Sequence, residues 1–216
     1  MPELGSDLDT LSRNAYHTLR DRIVALELPP GALLSENSLG VSLGLSRTPI
    51  REALKRLERE YLVRILPRRG ILVTEIDLKS QLQLLEIRRG VEMRLIERGA
   101  QRATAEQKRD LAALAAEMAA CAENSDLGAY VRLDTRFDEI VEQAAGNLFL
   151  TDAMRPVHAL VRRFWHSQCD SAGLHDVLAT HARVVRAAAD GDGPSTRRFL
   201  DELYDINEKY ILSLLA

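Results

Sequence analysis

The stretch from Ser46 to Glu58, SRTPIREALKRLE, restricts what this chain can fold into more than any other. It reads as a helix. Ser46 stands as an N-cap, where a hydroxyl can accept from a backbone N–H one turn ahead. Pro49 falls in the first turn, where a missing N–H does no harm. Ile50, Ala53, Leu54 and Leu57 recur at steps of three and four and form one apolar face. Arg47, Arg51 and Lys55 lie at i, i+4 and i+8 on another. From Ser46 to Gly70 there are eight Lys/Arg against three Asp/Glu, while the whole chain has a net charge of −3. The positive charge is therefore concentrated here.

The flanks give this helix a context. Ser35 to Leu43 reads as a short capped helix, stopped by Gly44, with a tight turn before Ser46. A basic helix placed second in such a pair is the geometry that enters the major groove of DNA. After it, Leu62–Leu66 and Ile71–Thr74 alternate like strands around Pro67-Arg68-Arg69-Gly70. That predicts a hairpin with two arginines at its tip, a wing. A solvated basic face on an ordinary amphipathic helix would show the same row of arginines. The turn, the cap, the wing and the local charge in register favour the DNA-reading helix.

A length of 216 residues suits two small domains, each able to bury a core. Residues 1–76 carry 11 Lys/Arg and 10 Asp/Glu, a net of +1, and residues 77–216 carry 18 and 22, a net of −4. A boundary is expected at Glu75-Ile76-Asp77. The start, MPELGSDLDT, does not resemble a signal peptide, and no apolar run approaches the roughly 18 residues of a spanning helix. Cys121 and Cys169 make no metal or disulfide pattern, so reduced thiols in a cytoplasmic protein are expected.

The first domain is predicted to hold three helices and the hairpin, with the first helix over Thr10 to Leu26, ended by Pro29-Pro30-Gly31. Beyond Asp77 only helices are expected, about six in an antiparallel bundle. Asp77 caps the first, which runs to about Ala100. The capping box Thr104-Ala105-Glu106-Gln107 opens the second. Asn124-Ser125-Asp126 and Gly146-Asn147 bound the third. The fourth spans Leu148 to Gln168, with a kink at Pro156. The fifth spans Gly173 to Asp190 and the sixth Ser195 to Leu214. The fold class is mainly α.

Three of these helices carry charge on the face that should be buried. Asp134 and Asp138 lie on the stripe of Tyr130, Val131, Phe137 and Val141. His181 lies on that of Val177, Leu178, Val184, Val185 and Ala188. Arg88 and Glu92 lie on that of Leu82, Leu85, Leu95 and Gly99. Buried charge is costly unless paired or bound. Two aspartates at i and i+4 repel, so a shared proton or an intervening cation is expected. An internal salt bridge of Arg88 with Glu92 or an aspartate would satisfy some of these groups. A polar cavity inside the bundle would gather all of them.

At this point the sequence resembles a known family. PPGALLSENSLGVSLGLSRTPIREALKRLE is similar to the most characteristic block of GntR-type bacterial transcription regulators. The remainder resembles the FCD-type ligand-binding domain of the FadR-like branch, with EIRRGVE at Glu86–Glu92, DTRFD at Asp134–Asp138, AAGN at Ala144–Asn147 and His181 in family order. The resemblance implies DNA contacts from Arg47, Thr48 and Arg51, with Arg69 and Gly70 at the wing tip. Ser46, Lys55 and Arg68 extend that candidate interface. Asn37 stands where members often carry arginine, and Tyr61 where a glycine is usual. Many FCD domains hold a metal with an aspartate and three histidines. Asp134 and His181 match, but Asp138 and Leu203 stand in place of the first and last histidines. No metal and no cofactor are therefore expected. Arg88, Asp134, Asp138, His181 and Asn207 are instead the candidate effector-binding residues, with Arg88 tied to the aspartate pair or to an anionic effector and His181 donating into the same cavity.

These readings make the chain a sequence-specific, DNA-binding transcription regulator, a repressor by resemblance. It would act as a homodimer on a short inverted repeat and be controlled by a small carboxylate metabolite. A metal-dependent bundle enzyme using Asp134, Asp138 and His181 is the competing reading. Against it, the sequence has no Glu-x-x-His pair, no phosphate-cradling glycine loop and no nucleophile–base motif.

Overall fold

The computed structural model describes residues 4–124, 126–168 and 174–215. Ser125, Cys169 and Gly173, each of which carried a sequence expectation, lie outside them. The chain divides into two compact units, Met1–Ile76 and Asp77–Ala216.

The first unit is built from α1 (Leu4–Val24), β1 (Leu33–Leu34), α2 (Glu36–Leu43), α3 (Arg47–Arg59), β2 (Val63–Leu66) and β3 (Gly70–Val73). Helix α1 starts earlier than its apolar spacing indicated and stops before the prolines, because Leu26 takes a left-handed backbone, φ 61°. Tyr16, Leu19 and Ile23 of α1 are buried against Ile50, Leu54 and Leu57 of α3. Each such aliphatic side chain contributes roughly 1.5–3 kcal/mol when fully buried. The α1–α3 contact is also tied by polar groups. The Tyr16 hydroxyl donates to the Glu60 carboxylate at 2.8 Å, and the Arg56 guanidinium lies 3.7 Å from the Tyr16 ring centroid. Burial, with the Glu60 carboxylate beside it, pushes the Tyr16 phenol up to about 12.

Ser35 caps α2 by accepting from the Ser38 N–H at 3.1 Å. Gly44 ends it at φ 64°, with its N–H on the Gly40 and Val41 carbonyls. Ser46 departs from expectation. It holds the extended N-cap backbone of α3, but its exposed hydroxyl makes no cap hydrogen bond. The sheet is antiparallel in the order β1-β3-β2, with Leu33 opposite Leu72 and Leu66 opposite Gly70. Strand β1 was invisible in the sequence, since two residues carry no period. At the wing tip the Arg69 N–H bonds the Leu66 carbonyl at 3.0 Å. Pro67 and Arg68 are the central residues of that turn, and Arg68 has φ 63°, as the third position of a type II turn requires. Only glycine fits at position 70, because a Cβ there would sit 2.6 Å from the Leu34 carbonyl oxygen at φ 115°.

The second unit holds α4 (Leu78–Ile87), a π-helical turn (Arg88–Glu92), α5 (Met93–Arg102), α6 (Ala105–Asn124), α7 (Leu127–Ala145), α8 (Leu148–His166), α9 (Leu174–Asp190) and α10 (Gly193–Ser213). Asp77 caps α4 through the Ser80 N–H at 2.8 Å. The capping box forms, with Thr104 N–H on Gln107 Oε1 at 2.9 Å and Gln107 N–H on Thr104 Oγ1 at 3.2 Å. The helix expected over 77–100 is one path interrupted by the π turn, where the Met93 N–H reaches back to the Arg88 carbonyl. Helix α8 continues through Pro156. Phe137, Val141, Met154, Phe164, Leu178, Val184, Val185, Leu203 and Tyr204 lie in the core. Gly99 lets α5 approach α7 closely, since a Cβ there would lie 2.7 Å from the Val141 carbonyl oxygen.

Candidate DNA-reading and effector sites

The apolar stripe of α3 turns inward, so its other faces stay in solvent. Ser46, Arg47, Thr48, Arg51 and Lys55 are exposed, as are Arg68 and Arg69 on the wing. Arg47, Arg68, Gly70, Asn37 and Ser35 line one groove of about 370 Å³ between the start of α3 and the wing. Arg51 and Lys55 do not line it. Arg51 donates Nε to Glu36 Oε2 at 2.8 Å, and Lys55 pairs with Glu52 at 2.8 Å. Glu36 had not been singled out in the sequence. Its place in the first turn of α2 is the signal, because helices α2 and α3 cross there.

In the second unit, several buried charges form one connected cluster. Arg88 donates Nε to Glu92 Oε2, and the Tyr204 hydroxyl donates to the same oxygen at 3.0 Å. Arg162 of α8 donates Nε to Asp134 Oδ2 at 2.9 Å and Nη2 to Asp138 Oδ2. His158, one turn before Arg162, lies between two carboxylates. Its Nδ1 is 2.9 Å from Asp138 Oδ2 and its Nε2 is 3.3 Å from Glu92 Oε1. The Tyr130 hydroxyl and His181 Nδ1 share a hydrogen bond of 2.5 Å.

Of the partners expected for Arg88, the structure shows Glu92 and not the aspartate pair. Arg88 is taken by Glu92 in its own π turn, and Arg162 reaches α7 from the facing helix. His181 does not line the void that the other candidates share, and its Nδ1 meets the Tyr130 hydroxyl. Arg162 and His158 were missed. Met154, His158, Arg162 and Trp165 recur at helical spacing along α8, and that row could have marked both as inward-facing.

Burial alone would lower the His158 pKa, but Asp138, with the Glu142 and Glu92 carboxylates nearby, holds it well above 6.5. Burial opposes ionisation of Glu92, yet Arg88 and His158 keep its carboxyl well below the usual range. Asp138 is likewise lowered against its burial by His158 and Arg162. His181 goes the other way, since burial outweighs Asp134 and holds it below 6.5. The cluster thus sets Arg88, Arg162 and His158 against Glu92, Asp134 and Asp138, with the half-buried Glu142 at its edge. Removing one member of such a buried pair typically costs about 3–5 kcal/mol.

Arg88, Asp134, Asp138 and Asn207 line a single internal void of about 20 Å³ with Arg162, His158 and Leu203, room for roughly one water. Asn207 is buried and its Oδ1 has no hydrogen-bond partner among the described residues. His181 stands one shell back, behind Tyr130. A wider groove of about 660 Å³ runs elsewhere in this unit, walled by alanines of α6 and α9 with Arg183 and Arg186 at its side. Glu123, His175, Asp190, Asp192 and Ser195 line it as well, and none of the candidate effector residues does.

The residues at the positions where the resemblance puts a metal do not form a metal donor set. Asp134 and Asp138 each give an oxygen to Arg162, His181 Nδ1 faces Tyr130, and Leu203 offers no ligand atom. Glu92, Asp138 and His158 do bring three ligand atoms within 4.8 Å of one another. However, both imidazole nitrogens face carboxylates, the arrangement of an imidazolium and not of a ligand with a free lone pair.

A helix-turn-helix with a basic second helix and an arginine-tipped wing, followed by an all-helical unit with a buried ion cluster, defines a two-part transcription regulator. The chain belongs to the GntR family of bacterial regulators, in the branch that carries an FCD domain. Residues 11–73 match the bacterial regulatory proteins, gntR family, and residues 83–205 the FCD domain. The chain is 27% identical over 200 residues to the HTH-type transcriptional repressor RspR of Escherichia coli K12, covering 92% of this chain and 88% of that protein. It is 33% identical over 135 residues to an uncharacterised HTH-type transcriptional regulator of Agrobacterium vitis, covering 61% and 78%. Its fold is similar to that of E. coli McbR/YncC, with a TM-score of 0.80 and 20% identity over 95% of this chain and 99% of that one. The family and these relatives are regulators and not enzymes, so the bundle-enzyme reading is set aside. Among the described residues no helix is long and apolar enough to cross a membrane.

Proposed function

We propose that this regulator reads a short inverted repeat as a homodimer, in the cytoplasm, and that a small carboxylate bound in the second unit controls its affinity for that site. In this reading Arg47, Thr48 and Arg51 contact base edges, as N-terminal residues of a recognition helix do. Ser46, Lys55, Arg68, Arg69 and the Gly70 backbone hold phosphates. The observation that carries the effector half is the buried cluster itself. Two guanidinium groups, paired carboxylates and the unpartnered Asn207 Oδ1 surround one void inside the bundle.

A void of about 20 Å³ admits no metabolite. A carboxylate effector therefore has to compete with Asp134 and Asp138 for Arg162, parting α7 from α8. Only a ligand that binds the parted state better can shift the population, and that difference is what reaches the DNA-reading unit. The orphaned Asn207 oxygen suits a carboxylate that also carries a hydroxyl or amine donor.

Two measurements test this reading. Selection from random duplexes should enrich an inverted repeat. Thermal melts against a panel of hydroxy-, amino- and dicarboxylates should find a ligand that raises Tm and changes affinity for the enriched site, with the effect weakened in Asn207→Leu. If only uncharged compounds do both, the carboxylate assignment is wrong.

A further inference from the structure

The aspartate pair has a built-in counter-ion. Asp134 and Asp138 lie one helical turn apart on α7, where two ionised carboxylates repel. The Arg162 guanidinium spans them, with Nε on one and Nη2 on the other, and Arg162 and Asp138 are both buried. His158 adds a contact to Asp138 from the previous turn of α8. Arg88 and Glu92 of the π turn, with Tyr204 of α10, close the far side. Glu142 is the remaining carboxylate near His158, at 3.6 Å.

We propose that Arg162 is the resident cation of this domain: its guanidinium holds the two aspartates in the role that a divalent ion plays between acidic and imidazole ligands, so the bundle is complete without a metal and becomes a metal site when that side chain is removed. A planar fork with parallel donors matches two carboxylates in a way that a point charge cannot. It also leaves no room for a divalent ion, because one placed on Asp134 and Asp138 would lie against the guanidinium. Replacing the fork with an uncharged chain of similar volume would leave two anionic oxygen donors and His181 nearby. That is a hard, partly imidazole set suited to manganese, magnesium or zinc. The inference does not depend on which effector the domain binds, or on whether it binds one.

The test uses the full chain purified without chelator. Wild type should hold no stoichiometric metal after dialysis, and its Tm should not move with MnCl2, ZnCl2, MgCl2 or EDTA. Arg162→Met should melt lower in EDTA and should gain a Tm that climbs with added Mn2+ or Zn2+, reversibly on chelation, as binding to the native state alone requires. One divalent ion per wild-type chain surviving dialysis would overturn the proposal, and so would an Arg162→Met variant that folds yet responds to no divalent ion. If Arg162→Met does not fold, the neutralised variant Asp134→Asn/Asp138→Asn/Arg162→Met decides. Its recovery as folded protein, indifferent to metal, shows that charge compensation was what Arg162 supplied. Its failure to fold shows that Arg162 serves packing alone, and the proposal falls.

Discussion

Arg51 donates Nε to both carboxylate oxygens of Glu36, at 2.9 and 2.8 Å, so α3 is pinned to the first turn of α2 through a side chain proposed above to contact a base edge. With Nε engaged by Glu36, the two Nη groups remain as a fork, the donor pattern that meets guanine O6 and N7. Arg51→Ala should reduce preference for the cognate site over random DNA by roughly 1–3 kcal/mol, the usual value of a bidentate base contact. Glu36→Ala should lose part of the same preference while retaining the charge of Arg51. Arg68→Ala should instead weaken binding to all sequences and lower the salt slope by about one. Competition binding at several salt concentrations separates these outcomes. Cognate preference unchanged in both Arg51→Ala and Glu36→Ala would remove Arg51 from the reading set.

Tyr61 has φ 61° and is largely exposed, a left-handed backbone that glycine adopts without strain. A left-handed non-glycine residue costs about 1–2 kcal/mol, and glycine's greater freedom when unfolded returns roughly 0.5–1. Tyr61→Gly is expected to raise stability by up to about 1 kcal/mol without changing DNA affinity. Urea titration and a binding assay check the two halves, and a lower urea midpoint would contradict the strain argument.

Gly99 is fixed by α7. A Cβ there would meet Val141 Cγ1 at 2.6 Å and the Val141 carbonyl oxygen at 2.7 Å, whereas one at Gly90 meets nothing within 4 Å. Gly99→Ala should destabilise by about 1–3 kcal/mol from overpacking, offset by at most about 1 from helix propensity. Gly90→Ala should be neutral or stabilising. Equal Tm values for the two variants would mean that α5 and α7 are not so closely apposed.

His158 and the acids around it give stability an opposed pH dependence. The His158 pKa is raised in the fold, so its contribution is full below its ordinary value of 6.5 and is lost as pH rises through the folded value. Glu92 and Asp138 are lowered, so theirs is present above the ordinary carboxylate range and is lost as pH falls. The groups facing His158 are Asp138, Glu142 and Glu92. His158→Gln should therefore lower Tm most near about pH 6 and progressively less toward about pH 9. Melts of both proteins across that range give the comparison, and a difference independent of pH would mean that His158 is neutral in the fold.

Much of this was legible in the residues. The three-and-four spacing of Ile50, Leu54 and Leu57, the caps at Ser35 and Asp77, and the Thr104–Gln107 box each depend on neighbours within one or two turns. Local rules of that kind read directly from sequence, and the structure repeats them. The inward charges on α7 and α9 were also visible, because a polar residue breaking an apolar stripe can be seen without knowing what it faces. Strand β1 was not visible, since it exists only by pairing Leu33 with Leu72, far along the chain.

By itself, then, the sequence determined the longer elements, their order, the division near Asp77 and the faces of each helix that cannot avoid being buried or exposed, but neither β1 nor the π turn. Tertiary structure alone decided which charges meet. Arg88 and Arg162 were both long enough and near enough in principle to hold Asp134 and Asp138. The π turn hands Arg88 to Glu92, and the seating of α8 against α7 gives the aspartates to Arg162. Helical period specifies the face on which a side chain lies, but a salt bridge between helices depends on rotation and axial offset, which no local pattern encodes.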